Sequence, residues 1–160
     1  MEGTPFTIIL ENGIKRTFFE EKGMITSAEM SMKVADWRCL SFYIMLDFEG
    51  KRQGFGGNML GKEEDYDKPY CIDLRERINK LFGTNDWSQL KGKTAYAIRL
   101  SEYFDSSIIG LKNENGYMFF IEHWRRDHFS DVEGYKKLTL PIRYEVPDFS
   151  PKRSRLEEVQ

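Results

Sequence analysis

Apolar and polar residues alternate with a period of two through most of the chain, and the phase of that alternation marks out the strands. Near the start, "TPFTIIL" and "IKRTFFEE" flank Glu11-Asn12-Gly13. Asn-Gly between two β-prone runs predicts a hairpin over residues 6–20. The next stretch, "MITSAEMSMKV", places Met24, Thr26, Ala28, Met30, Met32 and Val34 on one face and Ser27, Glu29, Ser31 and Lys33 on the other, a half-buried strand. In "WRCLSFYIMLDF", Leu40, Phe42, Ile44, Leu46 and Phe48 share a face and Trp37, Cys39, Tyr43 and Met45 the opposite one. A strand apolar on both sides belongs in the centre of a sheet covered on both faces. "DFEGK" then supplies a tight turn, and "RQGFGGNML" runs back as a strand weakened by glycine.

After the acidic loop "GKEEDYDKP" the period changes. Leu74, Ile78 and Leu81 recur at i, i+4 and i+7, with Arg75, Glu76, Arg77 and Lys80 on the other side. That is an amphipathic helix over about 70–82, started by Pro69 and stopped by Gly83. Asp86 caps a single turn, "DWSQL", before the strand "TAYAIRL", and "SSIIGLK" and "YMFFIE" flank Asn115-Gly116 as a second hairpin. Beyond Phe129, "LTLPIRYEV" reads as an edge strand because Pro141 bars it from a sheet interior, and "PDFSPKRSRLEEVQ" reads as a polar tail. The expected fold is α+β: a mostly antiparallel, curved sheet packed against one main helix. Its expected division is an N-terminal hairpin arm at 1–22, a core domain at 23–130, and an edge strand and tail at 131–160.

Composition narrows the function classes. The chain has 160 residues, 40% hydrophobic and 14% aromatic, enough for a real core. Lys and Arg number 24 against 26 Asp and Glu, a net charge of −2 that gives no bulk attraction to nucleic acid or anionic membrane. The first residues lack a basic start and an uninterrupted apolar core, and no run approaches a membrane span, so a cytoplasmic protein is expected. Cys39 and Cys71 are far apart and form no C-x-x-C pair, which suits ordinary buried thiols.

Several short strings invite chemical readings. In "GGNMLGKE", Gly56, Gly61 and Lys62 have the spacing of a phosphate-binding loop, but Glu63 stands where a magnesium-binding hydroxyl belongs. Glu64 and Asp65 follow, and such a run of carboxylates repels a triphosphate. Nor does the segment Gln53, Gly54, Phe55, Gly56, Gly57 have the G-x-G-x-x-G spacing or parallel context of a dinucleotide site. Its glycines fit a bulged strand bending the sheet over the helix, or a close approach by a partner. His123 and His128 point apart on either a strand or a helix, so no metal site is expected. Trp124-Arg125-Arg126 joins an aromatic to two cations, yet over residues 121–160 eight basic residues meet eight acidic ones, so no nucleic-acid stripe forms. No Ser/His/Asp or Cys/His set amounts to an active site, and no cofactor is indicated.

The segments "MITSAEMSM", "LSFYIMLDFEGKRQGFGGNML", the helix ending at Gly83, "WSQLKGK" and "SSIIGL" together resemble a group of small proteins encoded by bacteriophages and prophages. The likeness covers roughly residues 24–111 and is most specific at Q-G-F-G-G and W-x-x-L-x-G-K; the hairpin at 6–20 and the stretch after Phe129 are additions. It implies a phage or mobile-element origin and a bacterial host cytoplasm as the setting. Small phage proteins without catalytic signatures work by binding a host protein, for instance one of a defence system. The expected contact surface is Gln53, Gly54, Phe55, Gly56 and Gly57 with the acidic residues Glu63, Glu64, Asp65 and Asp67. The alternatives are a small-ligand or nucleotide-binding domain, an enzyme included, with its pocket where sheet faces helix, and a self-associating scaffold.

Overall fold

The computed structural model describes residues 3–9, 15–31, 39–104 and 106–129, with the backbone alone at residues 9, 31, 39 and 57–64. Strand β1 (Thr4–Ile9) pairs antiparallel with β2 (Lys15–Ser31), with Ile9 opposite Lys15, so the hairpin expected over 6–20 is present, its turn lying outside the described residues. Strands β3 (Cys39–Phe48) and β4 (Lys51–Lys62) form the next hairpin. Its two turn residues, Glu49 (φ 56°) and Gly50 (φ 98°), are both left-handed, the geometry that matches the twist of a two-residue hairpin. β5 (Thr94–Arg99), β6 (Gly110–Lys112) and β7 (Met118–Phe120) complete a seven-stranded antiparallel sheet of order β4-β3-β2-β5-β6-β7, with β1 added on β2. Helix α1 (Pro69–Phe82) and the shorter α2 (Ile121–Phe129) accompany it, and the sheet is not closed.

The sequence suggested a hairpin strand and then a separate strand from residue 24. A single 17-residue strand runs through both, straight across the position where the arm and core were divided. β2 therefore organises the sheet: residues 15–20 pair with β1, 19–24 with β5 and 24–31 with β3. Gly23 permits this crossing, because a Cβ there would lie 2.7 Å from the Phe48 ring. A bulge between Ile25 and Ser27 shifts the alternation. Ile25 is consequently buried and Met24 is 47% exposed, whereas Ala28 and Met30 return to the core after the bulge. Sequence alternation alone had put Met24, Ala28 and Met30 on one buried face; a one-residue slip reverses the side-chain direction.

Leu40, Phe42, Ile44, Leu46 and Phe48 of β3 are all buried, as their spacing predicts, and the last four share a core with the helix. Leu74, Ile78, Leu81 and Phe82 of α1 meet them, with Trp87 and Leu90 closing one end. Pro69 starts α1 and Gly83, at φ 69°, ends it, while Asp86 caps the 3-10 turn Trp87–Gln89 by accepting from the Ser88 amide at 2.8 Å. Opposite the helix, β3 is only half covered: Tyr43, Met45 and Asp47 are partly exposed, not enclosed as a strand apolar on both faces suggested. A second, smaller apolar layer lies on that face farther along, built from Ile8, Phe18, Ile98, Met118 and Phe120.

Curvature is strong. Phe55 of β4 and Phe119 of β7, at opposite ends of the strand order, have ring centroids 6.2 Å apart. The expected final strand and polar tail, residues 131–160, lie outside the described residues. No helix among the described residues is long and apolar enough to cross a membrane.

Candidate functional site

β4 carries the glycine segment, and the structure divides its residues by direction. Phe55 is 1% exposed, packed edge-on against Phe42 at 5.7 Å and near Phe119, so its ring belongs to the core and not to an outward contact surface. Gln53 points the same way. Its side-chain oxygen accepts from Arg99 Nε (3.1 Å) and Nη2 (2.6 Å), and its nitrogen donates to the Ser106 carbonyl at 2.8 Å. Arg99 also donates to Glu21 at 2.8 Å and lies between the rings of Phe48 and Phe104, 5.2 and 5.1 Å from their centroids. A buried guanidinium is tolerable only with such partners. This polar knot is consequently a strut that fixes β4 to β2 and β5, and its satisfied groups leave no reactive atom facing solvent.

Lys51, Arg52 and Gly54 are the exposed residues of the segment. Gly56 is where glycine is obligatory: at φ 112° its Cβ would stand 2.5 Å from the Phe42 carbonyl oxygen. Next come two register shifts against β3, between Tyr43 and Ser41 and between Ser41 and Leu40. The glycines thus serve bulges that bend the strand. Residues 51–56 keep a regular ladder with β3 on one side. Among the described residues no strand pairs with their other side, which leaves a row of backbone donors and acceptors at a sheet edge.

Beyond β4 the acidic residues do not form a loose loop but a 3-10 turn, Glu63–Asp67, leading into α1. Asp65 faces inward enough to accept from the Tyr70 hydroxyl at 3.0 Å, and burial together with that bond pushes the phenol well above its usual range. Asp67 is exposed; Glu63 and Glu64 are fixed in the backbone of the turn. Tyr66 is 37% exposed, with Arg75 stacked 3.9 Å from its ring centroid and bonded to its carbonyl. Tyr103, 60% exposed, stands at the other end of β4, in the connection whose Ser106 holds Gln53 and bonds the Tyr103 carbonyl. Two exposed tyrosines, the residue type enriched at protein interfaces, thus flank an edge that no described strand pairs.

Other sequence features resolve differently. Residues 56–62 are extended strand followed by a 3-10 turn, a backbone that wraps no phosphate. Between sheet and α1, where a ligand pocket was anticipated, the core residues fill the space. An open cleft of about 580 Å³ lies instead on the outer face, lined by Glu20, Glu21, Lys22, Met24, Asp47, Glu49 and Tyr96 among others. Of its lining carboxylates, Glu21 is turned inward to Arg99, Glu20 pairs with Lys112 and Asp47 with Arg52, and Lys22 stands among them. Cys71 is fully buried, and burial pushes its thiol up, away from reactivity. No group of His, Cys, Asp or Glu among the described residues is arranged to hold a metal ion.

Helix α2 had no place in the sequence reading, which treated residues 117–122 as strand and found no metal site at the histidines. Ile121, Glu122 and Trp124 are its buried positions, and His128 lies one turn beyond Trp124 on the same side. That period was concealed because "YMFFIE" continues the apolar run of β7. His128 is no bystander: its Nε2 lies 2.7 Å from Asp73 Oδ2 on α1.

No protein-family model, no curated protein and no solved structure matches this chain.

Proposed function

We propose that this chain is a non-catalytic protein-binding domain of phage or prophage origin that modulates a host protein, and that it makes contact through the β4 edge and the acidic turn after it. The observation that carries the reading is the side of residues 51–56 that no strand among the described residues pairs, a surface on which an extended segment of another protein adds as a further strand. Exposed Tyr66 and Tyr103 at its ends support the same surface. The bulges past Gly56 confine pairing to the regular part of the edge. The phage-like motifs point to a host partner, a defence protein being the form they suggest.

The test is an affinity capture from bacterial lysate with tagged wild-type protein and the variant Gly54→Lys/Glu63→Lys/Glu64→Lys. An added Cβ at Gly54 meets only Met45, at 3.6 Å, an ordinary contact, and circular dichroism of the variant verifies that the fold is kept. A stoichiometric host protein captured by the wild type and lost with the variant is the expected result. Equal capture by both removes this edge from the reading.

The outer-face cleft favours a second reading, a small cationic or neutral ligand. A ligand at a hundredfold excess over its Kd stabilises by about 2.7 kcal/mol. A thermal-shift screen with polyamines, amino acids and nucleosides detects it, and a flat response dismisses it.

A further inference from the structure

Residues 51–56 differ in what they offer to a strand added beside them. Arg52 and Gly54 share the outer face with Asp47 and Met45, their partners on β3, while Gln53 and Phe55 turn to the core. Alternate side chains of an added strand therefore stand beside Arg52 and Gly54. Arg52 reaches Asp47 at 3.8 Å with its own side chain 68% exposed, a loose pair that leaves guanidinium donors for a second carboxylate. Lys51, the other charge of the segment, is exposed as well, its ammonium 5.6 Å from the Phe104 ring centroid, and the segment contains no acid. Gly54 offers space instead. Within 4 Å, a Cβ there would meet only the Met45 side chain, its methyl at 3.6 Å and its sulfur at 3.9 Å, so bare backbone lies over a thioether.

Resting on the reading of β4 as a docking edge, we propose that its partner is an extended segment with an acidic side chain beside Arg52 and an aromatic one beside Gly54, two residues apart. The spacing follows from the strand period, which returns to the same face at every second residue. A carboxylate beside Arg52 completes a charge-assisted, bidentate contact that Asp47 does not supply at its distance. An aromatic ring on the neighbouring strand is the group that covers an edge glycine, and the Met45 sulfur beneath adds a favourable contact to that ring. Main-chain bonds to the edge supply affinity, and these two outer positions select the sequence.

The test titrates the full isotope-labelled chain with blocked seven-residue peptides and follows the amides of residues 51–56 by NMR. The parent peptide is Thr-Thr-Asp-Thr-Tyr-Thr-Thr; its companions carry Thr for Asp, Lys for Asp, Thr for Tyr, Thr for both, or N-methyl groups on alternate amides in either phase. The parent should bind roughly two- to fivefold more tightly than each peptide that lacks Asp or Tyr, the range of single cross-strand pairs, and Arg52→Glu should turn the preference from Asp to Lys. Equal affinity for the all-threonine peptide, or a preference that Arg52→Glu leaves unchanged, overturns the acidic and aromatic pattern while the edge itself stands. If neither phase of methylation weakens binding, or if no peptide shifts the amides of 51–56, the docking edge falls and this inference falls with it.

Discussion

Gly54 and Gly56 stand two residues apart on β4 and serve different ends. Gly56 is held at φ 112° against the Phe42 carbonyl and ring, so any side chain there collides with backbone. Gly54 meets nothing closer than 3.6 Å. Gly56→Ala should therefore cost about 1–3 kcal/mol, the usual penalty of overpacking with a strained backbone, whereas Gly54→Ala should lie within about 0.5 kcal/mol of wild type. Urea denaturation of the two variants side by side checks the contrast. Equal destabilisation would mean that the glycines matter as a group. Phe55, between them, belongs to the same lesson: a Phe among glycines resembles an exposed recognition residue in the sequence, and only the register against Ile44 shows that it faces the core.

At the scale of elements, the contact between α1 and α2, where Asp73 meets His128 and Arg77 meets Asp127, has an acid limit. A carboxyl held below its ordinary value, as that of Asp73 is by His128 and Arg77 against the effect of burial, contributes stability that is complete above the unfolded pKa, about 3.9 for Asp, and is lost as pH falls through the folded value. The α2 contact should accordingly weaken as pH falls below the ordinary carboxylate range. Hydrogen exchange at the Trp124 indole followed from pH 6 down to pH 3 would show the loss, and protection unchanged over that range would contradict the assignment. The elements themselves were unevenly legible. α1, the two Asn-Gly hairpins and the β3–β4 turn were written locally, in caps, periods and turn residues. The single long β2 was not, because its continuity through Gly23 depends on Phe48 across the sheet and its bulge on pairing with β3. α2 was hidden because its first buried residue continues a strand pattern. The glycine-rich segment was visible as unusual, but its place at the end of the described strand order is a property of topology, which no local pattern states.

For the whole molecule, the most consequential polar group is Arg99. Its side chain is 1% exposed and Glu21's 5%, and with Gln53 they tie β2, β4, β5 and the connection at Ser106. Removing one member of a buried pair leaves the other charge uncompensated, so Glu21→Ala should cost about 3–5 kcal/mol. Glu21→Ala combined with Arg99→Met should recover part of that loss, because no charge then remains buried. Thermal and denaturant unfolding of the single and double variants tests this, and additive losses would show that packing rather than charge dominates the site.

The three-way pairing of β2 also sets a timetable for synthesis. Its partners β1 and β3 are near it in the chain, and one side of the strand can be satisfied soon after they leave the ribosome. Its other side waits for β5, where Thr94 finally meets Met24 and Arg99 arrives opposite Phe19. Until then a nascent chain carries half of its central strand bare and Glu21 without its cation. Such a segment is open to mispairing with neighbouring nascent chains, and the wait makes the final assembly of this sheet a late event in the life of the polypeptide.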